Sequence, residues 1–111
     1  MSLYGQYLKE RENIDIFEVE QGFGSYMIEG EQCYIRDIFV TKEHRKAALA
    51  TYIADEITKI ARAAGCTYLT GTVVPSAAGA NTSMKVLIGY GMSLHSSTND
   101  LIVFKKDIGG L

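Results

Sequence analysis

The sequence predicts a mixed α/β (α+β) domain, a central mixed, mostly antiparallel sheet with flanking helices. Three observations predict it. The stretch 47–64 contains no Gly or Pro and repeats Leu49, Ile53, Ile57, Ile60, Ala61 and Ala64 at helical spacing. Two runs dense in β-branched and aromatic residues, Cys33–Val40 (CYIRDIFV) and Thr67–Val74 (TYLTGTVV), flank that helix. A strand–helix–strand crossover makes its two strands a parallel pair. Shorter apolar runs on either side, joined by turns, read as antiparallel hairpins.

In chain order, residues 3–12 (LYGQYLKERE) read as a short helix with Leu3, Tyr7 and Leu8 inward, weakened by Gly5. Ile14, Ile16, Phe17 and Val19 make a strand-like run ending at Gln21-Gly22. Phe23–Ile28 answers it and closes at Glu29-Gly30. Cys33–Val40 is the third strand, more buried toward its end. The long helix stops at Gly65, and Thr67–Val74 stops at Pro75. A loop of small residues (SAAGA) leads to Asn81, read as the N-cap of a second helix to about Gly89. Leu94–Ser97 is a short strand and Leu101–Lys105 (LIVFK) a stronger one.

Composition narrows the function classes. The 111 residues make one domain, 1–111, able to bury about two thirds of its unfolded surface. An apolar share of 47% with 22% charged excludes disorder, collagen and coiled coil. No apolar run approaches the ~20 residues of a membrane span, and the first twelve residues lack the basic start and apolar stretch of a signal peptide. Eleven basic against thirteen acidic side chains give a net charge of -2, which argues against a general nucleic-acid binder. Cys33 and Cys66 match no metal-ligand spacing and make a poor disulfide framework. They read as small buried hydrophobes in a reduced, cytoplasmic protein without a metal.

The informative stretch is Thr41–Ala50 (TKEHRKAALA). Helix N-termini expose unpaired N–H groups and partial positive charge, so they favour Ser, Thr, Asp or Asn caps and acidic first turns. Here Arg45 and Lys46 stand where positive charge is unfavourable, no capping side chain immediately precedes the helix, and positions 47, 48 and 50 are alanines. An anion such as a phosphate resting on the helix start explains these features together. A basic solvated loop capped by water or by Thr41 explains them too.

The run Val40–Ala50 resembles the acetyl-CoA signature of the GNAT acetyltransferases, a strand ending in Val followed by Arg/Gln-x-x-Gly-x-Gly/Ala. Arg45 matches the first position and Ala50 the last. Asn81–Met92 (NTSMKVLIGYGM) resembles the family's later helix, with Gly91-Met92 in place of its closing Gly-Phe. The order of elements over 14–105 also agrees. The resemblance implies that the parallel strands splay at their C-terminal ends and that pantetheine lies in the gap, bonding the backbone near Phe39 and Val40. The pyrophosphate would take amides from Lys46, Ala47, Ala48, Leu49 and Ala50, with Arg45 beside it, and Asn81 would lie across the cleft. The implied activity is acetyl-CoA-dependent N-acetyl transfer to an amine of a small molecule or a protein. A base takes the amine proton, an amide near Val40 polarises the carbonyl, and an acid protonates the thiolate.

Three features depart from that pattern. Ala48 replaces the glycine that gives closest phosphate approach. Leu87 stands where the family places its tyrosine acid, leaving Tyr90, one turn on, as the substitute. Only residues 1–12 precede the hairpin, so the acceptor groove is open or completed by another chain, as in a homodimer. The base candidates are Asp37 and His44. An acidic residue inside an apolar strand needs a reason, although a solvent-facing ion pair supplies one. Tyr34, Tyr52 and Tyr68 read as core or rim aromatics, and Lys105-Lys106 as a solvated edge. The alternatives are a GNAT-like binding or assembly module that has lost turnover, a form some phage-encoded proteins take, and an unrelated α+β binding domain.

Overall fold

The computed structural model describes residues 2–44 and 48–109. Its elements are α1 (Leu3–Glu12), β1 (Asp15–Val19), β2 (Gly22–Glu29), β3 (Gln32–Val40), α2 (Leu49–Ala63), β4 (Tyr68–Val73), α3 (Ala80–Gly89), β5 (Ser93–Thr98) and β6 (Leu101–Asp107), with a short 3-10 turn at Lys42–His44. The strands form one sheet in the order β1-β2-β3-β4-β6-β5. Among the described residues, only β3 and β4 pair in parallel and the other four pairings are antiparallel. The predicted mixed sheet with flanking helices is therefore the observed one.

Helices occupy both faces of the sheet. On one face, Ile53 and Ile57 of α2 press against Gly24. A methyl group there would stand 2.5 Å from Ile57 Cδ1 and 2.8 Å from Ile53 Cγ2, so only glycine admits the helix this closely. Leu87 of α3 lies over Gly71 of β4 on the same face, and both helices share one core with Cys33, Leu69, Val73, Met92 and Phe104. Fully buried apolar side chains of this kind each contribute roughly 1.5–3 kcal/mol. The other face carries α1 alone, where Tyr4 meets Phe23 and Phe23 meets Phe39 at ring-centroid distances of 6.2 and 5.7 Å.

Two local expectations are corrected. Leu3 and Tyr7 point to solvent rather than inward, at 83% and 54% exposure. The buried stripe of α1 is Gly5 and Leu8, and at about 100° per residue Leu3 and Tyr7 fall well outside it. Asn81 does not cap α3. Gly79 does, with a left-handed backbone (φ 80°), so the helix begins at Ala80 and Asn81 already lies in its first turn. A residue with helical dihedrals cannot turn its side chain back as an N-cap does.

Cys33 and Cys66 are free and buried, as expected. Burial, with the neighbouring Cys66 and Asp15 adding to it, pushes the Cys33 thiol up to about 12, so it is an inert core group. Among the described residues, no helix is long and apolar enough to cross a membrane.

Candidate active site

The site begins where the parallel ladder ends. β3 and β4 pair over three residues, Gln32 with Tyr68, Cys33 with Leu69 and Tyr34 with Thr70. Beyond that point β3 runs on to Val40 beside β2, and β4 runs on to Val73 beside β6. The two strands thus part toward their C-terminal ends, leaving a V-shaped gap in the sheet. Gly71 and Leu87 flank its floor on the α2/α3 face. On the opposite face Tyr34 Oη and Thr72 Oγ1 lie 3.0 Å apart, a hydrogen bond that bridges the two strands above their last pair.

A bulge decides which residues look into this gap. Ser25 pairs with Asp37 but Tyr26 pairs with Ile35, so Arg36 is an extra residue in β3. Cross-strand partners share a face and neighbours alternate. Asp37 therefore lies on the face of Tyr34 and Thr72, although a regular strand would put positions 34 and 37 on opposite faces. Asp37 is exposed, 3.6 Å from Arg36 Nε, and Arg36 Nη1 reaches Glu12 Oε1 of α1 at 3.3 Å. The ion pair foreseen for Asp37 exists, and its carboxylate remains open to solvent. An exposed pair of this kind contributes about 0–1 kcal/mol.

At the wide end of the gap, β3 leads through the Lys42–His44 turn to α2. Ala48 is the N-cap residue of α2, with a left-handed backbone (φ 56°) and no side-chain cap. Thr41, the alternative cap, is engaged elsewhere: its Oγ1 lies 2.9 Å from His44 Nδ1. That contact also engages Nδ1 of His44, the second base candidate. The first turn of α2 carries no acidic residue to offset its dipole. Arg45, Lys46 and Ala47, named for the anion site, lie outside the described residues. Of the remaining cofactor candidates, Val40 is buried at the end of β3, Phe39 is half exposed on the α1 face, and Ala48, Leu49 and Ala50 form the start of α2. Asn81 is exposed in the first turn of α3. An extended ligand with an anionic end fits this layout, with its chain in the gap and its charge at the helix start.

Tyr90 lies apart from Asp37. Its Oη donates to Asp55 Oδ1 at 2.6 Å and lies 3.2 Å from Thr58 Oγ1, both on α2. Lys106 Nζ donates to its carbonyl at 3.0 Å and sits 4.2 Å over its ring. Burial, then the Asp55 hydrogen bond, pushes the Tyr90 phenol up to about 12. The structure thus ties Tyr90 to α2 and does not bring it together with Asp37. The sequence reading missed Tyr34 and Thr72 as residues at the gap. The threonine at 72 of TYLTGTVV was visible, but without the register nothing linked it to a tyrosine 38 residues earlier.

Comparison with known proteins agrees with the architecture. A model of the acetyltransferase (GNAT) family matches residues 14–82. No curated protein matches the sequence. Among solved structures, a GNAT-family protein from Desulfovibrio desulfuricans superposes with a TM-score of 0.77 at 11% identity, covering 94% of this chain and 76% of its own. The PaiA N-acetyltransferase of Thermoplasma acidophilum, solved in complex with coenzyme A, gives 0.75 at 13% identity over 95% and 69%. A ribosomal-protein alanine N-acetyltransferase from Escherichia coli gives 0.70 at 13% identity over 100% and 79%. At such identities these likenesses establish the fold. The family model spans more than half of the sequence, including both sides of the gap and the start of α2, and on that ground the chain belongs to the GNAT acetyltransferase family.

Proposed function

We propose that this protein is an acetyl-CoA-dependent N-acetyltransferase acting on an amine of a small molecule or a protein. The observation that carries the reading is the parting of β3 and β4, with a helix start at the wide end whose N-cap residue, Ala48, supplies no side-chain cap. Pantetheine would lie along β3 near Phe39 and Val40, and the pyrophosphate on the amides at the start of α2, with Arg45 and Lys46 supplying charge. Asn81 would face the pantetheine arm from α3. Asp37, on the open face of the sheet, would take the proton from the attacking nitrogen. A main-chain amide near Val40 would polarise the thioester carbonyl.

Leu87 favours a second reading. It lies at the floor of the gap, over Gly71, and carries no hydroxyl. A chain that binds acetyl-CoA there without turning it over would be a binding or assembly module. Release of free thiol from acetyl-CoA separates the two. With spermidine as a small amine and a lysine-containing peptide with a free α-amine as acceptors, the enzyme reading expects release above the uncatalysed rate. Asp37→Asn should lower that rate by about 10² or more while leaving acetyl-CoA binding intact. Binding of acetyl-CoA with no release from either acceptor would favour the module.

A further inference from the structure

We infer that Tyr34 is the acid of the transfer reaction, the phenol that protonates the departing thiolate in place of the hydroxyl that Leu87 lacks. The inference rests on the acetyltransferase reading and names a residue for one of its steps. Four observations carry it. Tyr34 is the last residue of β3 to pair with β4. Its Oη nevertheless reaches beyond that pair to Thr72 Oγ1, 3.0 Å away, on the stretch of β4 that no longer pairs with β3. The hydroxyl is therefore held across the closed end of the gap, on the face opposite Leu87, where the reacting end of an extended thioester would stop. The bulge at Arg36 sets Asp37 on the same face, so a base and an acid face the gap from one side. Finally, Tyr90 is committed to Asp55 and Thr58 of α2, on the other face of the sheet.

The step balances with these two groups. The acceptor nitrogen attacks the thioester carbonyl carbon, forming the C–N bond, and the C–S bond breaks with its electron pair on sulfur. Asp37 takes the proton from nitrogen, and Tyr34 Oη gives its proton to sulfur. Water then carries the proton from Asp37 back to the Tyr34 phenolate. Thr72 acts as a positioning residue, because its hydroxyl fixes the phenol in the gap.

Two measurements test the assignment. The first is calorimetric binding of CoA and of desulfo-CoA, which lacks the thiol. A phenol at the sulfur makes wild type prefer CoA by several-fold, and Tyr34→Phe should remove that preference while keeping affinity for desulfo-CoA. The second is thiol release from acetyl-CoA with hydroxylamine, a nucleophile small enough to need no acceptor groove. Tyr34→Phe should slow it by about 10²-fold or more, and Thr72→Val should slow it less. In the Tyr34→Phe background, Leu87→Tyr supplies a hydroxyl to the same gap from its helix face, beside Gly71, and should recover part of the rate. A merely structural loss would not be rescued from another element. Failure of CoA itself to bind would overturn the acetyl-CoA reading. Binding of CoA with an unchanged preference over desulfo-CoA in Tyr34→Phe, or with an unchanged rate, would overturn the role of Tyr34 alone. A wild type that binds acetyl-CoA without accelerating hydroxylaminolysis would overturn it as well.

Discussion

Ala48 carries a left-handed backbone at φ 56°. That conformation costs an L-residue roughly 1–2 kcal/mol, because Cβ crowds the following carbonyl, and costs glycine almost nothing. The position is also where the family signature places glycine, so backbone geometry and close approach to phosphate favour the same residue. Ala48→Gly should therefore stabilise the free protein, the relief of strain exceeding the extra entropy of an unfolded glycine. A net gain of about 0.5 kcal/mol would raise Tm by about 2 °C. Scanning calorimetry checks it; a fall in Tm would mean that Ala48 is not left-handed. Asp37 shows the limit of reading at this scale. Its carboxylate stood out in an apolar strand, but the face it occupies depends on one extra residue, Arg36, and a single inserted residue leaves no mark on composition or alternation.

At the scale of elements, periodicity carried most of the fold. The 3.6-residue repeat located α2, which buries one stripe, and the β-branched and aromatic runs located β3, β4 and β6, which each pair with a strand on either side. The bounds of α1 were legible, but the facing of Leu3 and Tyr7 and the start of α3 were misread for a common reason. Each depends on one or two contacts, the Gly5–Leu8 stripe and the Gly79 turn, rather than on a repeated pattern. The tie between α2 and the end of α3 was likewise invisible, since Tyr90 and Asp55 are 35 residues apart. Tyr90→Phe should cost about 1–2 kcal/mol at neutral pH by removing a phenol–carboxylate hydrogen bond. It should also change the alkaline limb of stability. The Tyr90 phenol ionises near 10 in the unfolded chain and near 12 in the fold. The unfolded state thus loses its proton first, so this group's stabilisation is complete below pH 10 and disappears as pH climbs toward 12. Tm should fall more gently over that range in Tyr90→Phe than in wild type, and an identical slope would remove Tyr90 as a contributor. Cys33, raised from 9 to about 12, and Tyr26, raised from 10 to about 12, keep a decline in the variant.

At the scale of the whole molecule, the sheet divides the work. One face is packed against α2 and α3, while the other, among the described residues, carries α1 and leaves Asp37 accessible. The gap between β3 and β4 lies between the two faces, so under the proposed function a thioester held from the helix side would meet an amine arriving from the open side. The central claim is that the start of α2 holds the anionic end of CoA, and a thermal shift on Thr51→Asp tests it most directly. Thr51 is exposed in the first turn of α2. A carboxylate there suits the helix dipole by about 0.3–1 kcal/mol, so the free variant should melt slightly higher than wild type. The same carboxylate would repel a pyrophosphate. CoA at 100 times its Kd stabilises wild type by about 2.7 kcal/mol, a rise on the order of 10 °C, and a tenfold weaker Kd leaves about 1.4 kcal/mol, or half that rise. The free variant should show a higher Tm together with a CoA-induced shift cut to half or less, a pair of opposite signs that misfolding cannot produce. No shift in wild type at millimolar CoA, or an undiminished shift in Thr51→Asp, would contradict the claim.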